Sequence, residues 1–198
     1  MRRIFYFLLL TILLPLCGKG QIFGNEITGS DPSDDNPYII GQYLDPNVSA
    51  SGIGRGPGVA NNNGDNRYNG KNWDSPVLDN SDYFEFTISP NSGYKLNFSS
   101  FDYTAQASGT GPTTFSFRSS LDAFTTEIAS PTNTGGSIDL SDPSFQNITT
   151  SITFRLYGWG ASSSVGTFSV NDFQFLGSVP LPIELISFSG KEKNGQVL

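Results

Sequence analysis

Four aromatic side chains are the residues best placed by the sequence to bind a ligand. Tyr68 and Trp73 lie in a stretch rich in Gly and Asn, and Tyr157 and Trp159 lie in "LYGWGASSSVG". A sugar ring stacks its C–H face on an exposed aromatic ring while its hydroxyls bind polar side chains. These residues predict a carbohydrate-binding surface with Trp159 at its centre. The alternative is that Trp159 folds back over one end of the domain as an apolar plug.

A second candidate site lies in "RSSLDAFTTEI", which begins at Arg118. Arg118 and Asp122 together would form a clamp for a polar ligand. The favoured alternative is a hairpin in which these two side chains pair or bind the turn and so hold the strand register. In that case Phe124 resumes the core-facing side of the next strand.

Calcium is the metal that the acidic residues could hold, because it takes about six to eight oxygen ligands from carboxylates and carbonyls. Asp65 and Asp74 lie in the Asn-rich stretch, and Asp172 lies in a late strand from which it could reach a loop. A structural calcium ion is one prediction from this pattern. Solvated turn residues are the default interpretation, and no other cofactor is predicted.

The sequence offers little for catalysis. It has no His, and its single cysteine is Cys17, in the N-terminal segment. Ser-His-Asp triads, thiol nucleophiles and His/Cys zinc sites are therefore excluded from the remainder of the chain. A glycosidase needs two carboxylates about 5–10 Å apart, and Glu85 and Glu127 are the pair on offer, without a third acid at a supporting spacing. We predict a non-catalytic protein, with a carboxylate-based glycoside hydrolase as the less favoured alternative.

The elements that must position these residues are β-strands. Short runs that alternate between apolar and polar residues are separated by Gly, Ser, Thr, Asn and Asp, and no sustained helical period interrupts them. "DYFEFTIS" and "SITFRLYG" alternate regularly, whereas "TFSVNDFQFLG" changes phase and predicts a bulge near Asn171-Asp172. We predict an all-β fold of two packed antiparallel sheets with Phe as the main inward residue, and a long loop over 52–76.

The first 20 residues have the layout of a secretory signal peptide. A basic start, a 13-residue apolar run and a small, polar end follow one another, with Gly18 and Gly20 at the positions read by signal peptidase. We predict cleavage between Gly20 and Gln21; the alternative is a lipoprotein anchored at Cys17, which Leu16 disfavours. The remaining chain has 8 basic and 18 acidic residues, a net charge of about −10. This charge argues against nucleic acid and anionic membranes as partners, and no membrane insertion is expected after cleavage.

The sequence predicts three segments: the signal peptide at 1–20, a sandwich domain at 21–179 and a tail at 180–198. In the tail, "VPLP" is typical of a stiff hinge, and Asn194-Gly195 favours a tight hairpin turn. We interpret it as a linker and the incomplete start of a second β domain, and expect it to have low order.

Three stretches resemble a known module. "DYFEFTISPNSGYKLNFSSFDY", "GPTTFSFRSSLDAF" and "ITFRLYGWGASSSVGTFSVNDFQFLG", within 80–178, are similar to a jelly-roll module of the galactose-binding-like kind found in secreted Bacteroidota proteins. The closing "PLPIELISFSGKEKNGQVL" resembles the start of a fibronectin-type-III-like spacer that precedes a sorting domain for type IX secretion. The resemblance implies a jelly-roll sandwich and export to the cell surface, and it supplies no catalytic residues. Because the later spacer strands and the sorting domain are missing, we expect a truncated chain or a fragment, with a periplasmic location as the alternative if it is complete.

These features predict a non-catalytic, secreted or cell-surface module that binds carbohydrate or another surface polymer as part of a larger exported protein. Its expected partners are that polymer and the export machinery. The alternative is a structural or adhesive spacer without a small-molecule site.

Overall fold

The computed structural model describes residues 20–181 and the backbone of Glu192–Lys193 and Gln196–Val197. The predicted signal peptide and the predicted low order of the tail lie outside the described residues. Within 20–181 the elements are strands and three short 3-10 turns. The strands are β1 (Gly20–Asn25), β2 (Gln42–Leu44), β3 (Val48–Arg55), β4 (Ala60–Asn61), β5 (Tyr68–Lys71), β6 (Tyr83–Pro90), β7 (Asn97–Ala107), β8 (Thr114–Ser119), β9 (Gly135–Asp139), β10 (Ile152–Trp159) and β11 (Thr167–Ser178).

Two antiparallel sheets pack face to face, which confirms the predicted all-β sandwich. One sheet has the order β3-β6-β10-β8. In the seven-stranded sheet, the long strand β11 pairs with β7 along one side and with β1 and β5 along the other; β2, β4 and β9 complete it. From β5 to β11 successive strands alternate between the two sheets, the connectivity expected of the predicted jelly roll.

The core between the sheets is built mainly from phenylalanine, as the alternation predicts. Phe175 is fully buried at its centre and contacts several other rings. These rings belong to Phe23, Phe86, Phe98, Phe101, Phe154 and Phe173. Burial of one such side chain stabilises the fold by about 1.5–3 kcal/mol.

The predicted bulge in β11 is confirmed. The register between β11 and β7 shifts between Val170 and Asp172, so that one extra residue separates the two halves of the strand. Phe168 and Val170 before the shift and Phe173 and Phe175 after it are all buried. Because of the extra residue, the phenylalanines in the second half of β11 face the core again.

The prediction of a long loop over 52–76 is wrong, because the end of β3 and all of β4 and β5 lie in this range. Glycine suits these strands where the space above the backbone is already filled. A Cβ on Gly70 would lie 2.5 Å from Val59 Cγ1 and 3.2 Å from the ring of Phe84. The absence of a side chain thus lets β5 approach the opposite sheet.

In the tail, strands β12 (Glu192–Lys193) and β13 (Gln196–Val197) pair antiparallel. Lys193 pairs with Gln196, and the tight turn predicted at Asn194-Gly195 lies outside the described residues. Among the described residues, no helix has the length and apolar character needed to cross a membrane.

Candidate functional site

Trp73 and Tyr68 are core residues, so their predicted role as exposed sugar platforms is wrong. Trp73 is 0% exposed; its ring packs against Phe84 and Phe168, and its Nε1 donates to the carbonyl of Gly70 at 2.9 Å. Tyr68 is also fully buried, and its hydroxyl donates to Asn36 Oδ1 at 2.9 Å. Burial raises the pKa of Tyr68 to about 12. Neither ring presents a face to a ligand, because tertiary packing covers both.

Tyr157 is also buried, on the outer face of the four-stranded sheet. Its ring packs against Tyr83, and its hydroxyl accepts a 3.5 Å hydrogen bond from Arg155. The guanidinium carbon of Arg155 lies 3.9 Å from the ring centroid of Tyr83 and 4.1 Å from that of Phe124. The predicted stacking role is therefore wrong for Tyr157 too, because a polar and aromatic layer covers it.

Trp159 ends β10 and is half-buried, so it keeps part of its surface exposed. By strand alternation it lies on the same outer face as Arg155 and Tyr157. Its backbone carbonyl accepts from Thr113 N at 3.1 Å. Of the four predicted aromatic residues, Trp159 alone remains accessible.

Arg118 and Asp122 form hydrogen bonds with the backbone of the loop that follows them. Arg118 donates to the carbonyls of Phe124 and Thr125 at 3.1 and 2.8 Å. Asp122 accepts from the backbone N–H groups of Thr125 and Thr126 at 3.2 and 2.9 Å, and the hydrogen bond with Thr126 lowers its pKa. This arrangement corresponds to the hairpin alternative rather than to a ligand clamp.

Phe124 does not resume the core face as predicted. It is half-buried against Arg155 on the outer face, because Ala123 and Phe124 both have positive φ angles, 58° and 61°. These left-handed conformations turn the chain back over the four-stranded sheet.

The three aspartates predicted to bind calcium lie on different elements. Asp65 and Asp74 are exposed residues on either side of β5, and Asp172 lies in β11, where Thr104 donates to it. Within the described part of the chain, no group of three or more His, Cys, Asp or Glu side chains is placed to hold a metal ion. Calcium binding thus stays a prediction from the sequence alone.

Glu85 and Glu127, the carboxylates considered for hydrolysis, lie in different environments. Glu85 Oε2 forms an ion pair with Arg155 Nε at 3.2 Å on the four-stranded sheet. Glu127 lines a cleft of ≈ 530 Å³ with Asp122 and other acids, and accepts from Ser130 Oγ at 2.5 Å. Glu85 is not one of the described residues that line this cleft.

The acidic cleft around Glu127 is a weak candidate for a site. Asp122 and Asp142 use their carboxylates to accept the backbone N–H groups of their own turns. Asp139 does the same for Ser141 N at 2.8 Å. Turn formation accounts for these carboxylates without a ligand.

The stronger candidate is a groove on the outer face of the seven-stranded sheet, which is not predicted from the sequence. It consists of two adjoining cavities of ≈ 530 and ≈ 160 Å³ that share Gln21, Asn25 and Glu26. We call it the β1 groove. Its lining residues are Gln21, Gly24, Asn25, Glu26, Ile27, Thr28, Gly41, Tyr43, Asn171, Asp172, Phe173 and Gln174.

A glycine in the middle of a cross-strand row lines the smaller cavity of the groove. Gly24 in β1 pairs with Tyr43 in β2 on one side and with Gln174 in β11 on the other. A Cβ on Gly24 would lie 2.2 Å from Gln21 Nε2 and 2.7 Å from Phe173 O. The missing side chain makes room for the amide of Gln21, which lies over Gly24 between Tyr43 and Gln174. The bulge of β11 then brings Asn171 and Asp172 to the same rim.

The polar groups of the groove suit a ligand rich in hydroxyls. Gln21, Asn171 and Gln174 carry amides, each of which both donates and accepts hydrogen bonds. Tyr43 is 47% exposed and offers a ring face. Glu26 and Asp172 add carboxylates. The arrangement can hold a polyhydroxylated molecule between hydrogen-bonding side chains and an aromatic ring.

No protein-family model matches the chain, and a search of curated proteins found no similar one. A row of Tyr, Gly and Gln from three strands leaves no local signal in the sequence, since only the sheet register brings these residues together.

Proposed function

We propose that the protein is a non-catalytic β-sandwich module that binds carbohydrate through the β1 groove. The observation that carries this proposal is the row of Tyr43, Gly24 and Gln174, which places an exposed ring on one side of Gly24 and an amide on the other, with the Gln21 amide over Gly24. Sugar rings need both an apolar contact for their C–H faces and donors and acceptors for their hydroxyls.

The size of the groove supports the same ligand class. Its main cavity of ≈ 530 Å³ falls in the range of about 300–1,000 Å³ that is usual for small-molecule sites. The cavity is open along the sheet surface and continues into the smaller one toward Tyr43. A short stretch of a polysaccharide fits such a shape.

We place this activity outside the cell or at its surface, as part of an exported protein. The support is the tripartite N-terminal sequence and the type IX cargo resemblance of the closing stretch. Cleavage after Gly20 would leave Gln21 at the start of β1 and keep this strand in the sheet.

Binding to insoluble polysaccharides and to soluble oligosaccharides tests the proposal. The protein should bind at least one glycan of a panel, and Tyr43→Ala should weaken this binding about threefold to tenfold, the effect of one aromatic contact. Trp159→Ala, on the other sheet, is the matched control and should bind like the unmodified protein. Unfolding temperatures should be measured for both variants.

Two results would overturn the proposal. If no glycan binds, the protein is better described as a structural or adhesive spacer. If Trp159→Ala abolishes binding and Tyr43→Ala does not, the binding surface lies on the four-stranded sheet.

A further inference from the structure

Glu26 gives the β1 groove a negative charge that no described Lys or Arg side chain neutralises. It is exposed at the end of β1 and lines both cavities. Within the described part of the chain, its carboxylate makes no hydrogen bond and no ion pair. This charge is therefore available to a ligand.

Asp172 adds a second negative charge on the opposite rim. Thr104 donates to its Oδ2, and its Oδ1 has no hydrogen bond from the described residues. No Lys or Arg lines either cavity. Arg67, which reaches the same sheet, instead donates to Asp65 O at 3.2 Å and to Gln106 Oε1 at 3.4 Å.

The amide of Asn25 provides an independent observation. Asn25 is 3% exposed and lines both cavities. Its Nδ2 donates to Ile40 O at 3.1 Å, whereas its Oδ1 has no partner among the described residues. Gln42, the residue opposite Asn25 in β2, likewise has an unpaired buried Oε1. A buried acceptor without a donor is costly, so the region has an excess of acceptors.

We propose that the β1 groove prefers glycans that carry free amino groups, such as polymers of unacetylated hexosamine, over neutral and anionic glycans. An ammonium group supplies three donors and no acceptor, which matches the two carboxylates, and the buried, unpaired Asn25 carbonyl adds a further partial negative charge beside them. A uronic acid or sulfated sugar would instead meet like charges. This inference rests on the proposed function, because it specifies the ligand of the same site.

Titration calorimetry with three hexasaccharides tests the preference. The probes are β-1,4-linked glucosamine, its fully N-acetylated counterpart and galacturonic acid, all at pH 6 and low salt. We expect the glucosamine hexamer to bind about fivefold more tightly than the acetylated one, the effect of two solvent-exposed charge pairs. The preference should disappear at about 0.5 M salt, where screening is strong.

Charge-neutral variants locate the effect. Glu26→Gln with Asp172→Asn should remove the preference, so that this variant binds the glucosamine hexamer no more tightly than the acetylated hexamer. Glu127→Gln with Asp142→Asn removes the same charge from the acidic cleft and should keep the preference. The single variant Glu26→Gln, at an exposed position, should halve the preference if the double variant is unstable.

The outcomes separate the inference from the proposed function. Equal or tighter binding of the acetylated hexamer, or tight binding of galacturonic acid, overturns the amino-glycan preference while carbohydrate binding stands. If neither these hexamers nor the glycan panel binds, the proposed function itself fails. A preference that survives in the Glu26→Gln, Asp172→Asn variant also overturns the inference.

Discussion

Replacing Trp73 by alanine tests whether this ring is part of the core. The side chain is 0% exposed and packs edge-to-face on Phe84 at 5.1 Å and on Phe168 at 5.9 Å. Its Nε1–H donates a hydrogen bond to Gly70 O at 2.9 Å. The substitution removes this donor from the Gly70 carbonyl. Removal of a buried Trp costs about 3–5 kcal/mol, and a lost buried hydrogen bond costs about 1 kcal/mol.

We expect Trp73→Ala to lower the free energy of unfolding by about 4 kcal/mol, since these contributions overlap. For a domain of this size, that corresponds to a decrease in Tm of about 8–16 °C. Urea denaturation followed by circular dichroism measures the change. Trp73→Phe should cost less than Trp73→Ala, because it keeps part of the ring contact and loses the hydrogen bond.

Trp159→Ala is the control, because Trp159 is half-buried at the end of β10. It should destabilise the protein by about 1 kcal/mol or less. Fluorescence adds a second readout: the emission that remains in Trp159→Ala should be blue-shifted, since it comes from the buried Trp73. A loss below about 1 kcal/mol in Trp73→Ala, or a larger loss in Trp159→Ala, would refute the assignment of these two rings.

The remaining predictions concern charge and strand phase. Burial, and then the charge of Asp79, raise the pKa of Asp82 above its usual value of 3.8. The ionised form of Asp82 is therefore less favourable in the folded protein, and the contribution of Asp82 to stability declines as pH rises through this region. Asp82→Asn should raise Tm at pH 7 and have little effect at pH 3. Hydrogen bonds from Ser81 lower the pKa of Asp79, so the contribution of Asp79 to stability is present above pH 3.8 and is lost as pH falls through the lower pKa of the folded state. Asp79→Asn should therefore lower Tm at pH 7. Tm shifts of the same sign in the Asp79 and Asp82 variants would contradict these two assignments. Deletion of Asn171 removes the extra residue of the bulge and should abolish cooperative unfolding, whereas Asn171→Ala keeps the phase and should unfold cooperatively; equal stability of the two would show that the bulge does not set the inward face.

The sequence predicts the fold better than the site because strand patterning is local. Alternation in "DYFEFTIS" shows which residues face inward, and the change of phase in "TFSVNDFQFLG" reveals a bulge without knowledge of the partner strand. Burial of a ring near glycines is a tertiary property. Trp73 is buried because Phe84 and Phe168 approach it from other strands.

The groove depends even more on long-range pairing. Gly24 is informative only once Tyr43 and Gln174 are known to lie on its two sides. Single Gln, Gly and Tyr residues are common in outward positions of strands, so nothing in their local sequence distinguishes this row. The register of β1 against β2 and β11 brings the site together.

The most direct test of the central claim is to locate glycan binding on the protein by amide chemical shifts. Titration with the oligosaccharide that binds best in the panel should shift the signals of Gly24 and Gly41, which line the β1 groove. Gly158 and Gly160, at the end of β10 near Trp159, should remain unchanged. Shifts confined to Gly158 and Gly160, or no shifts with any glycan, would contradict the assignment of the β1 groove as the carbohydrate-binding site.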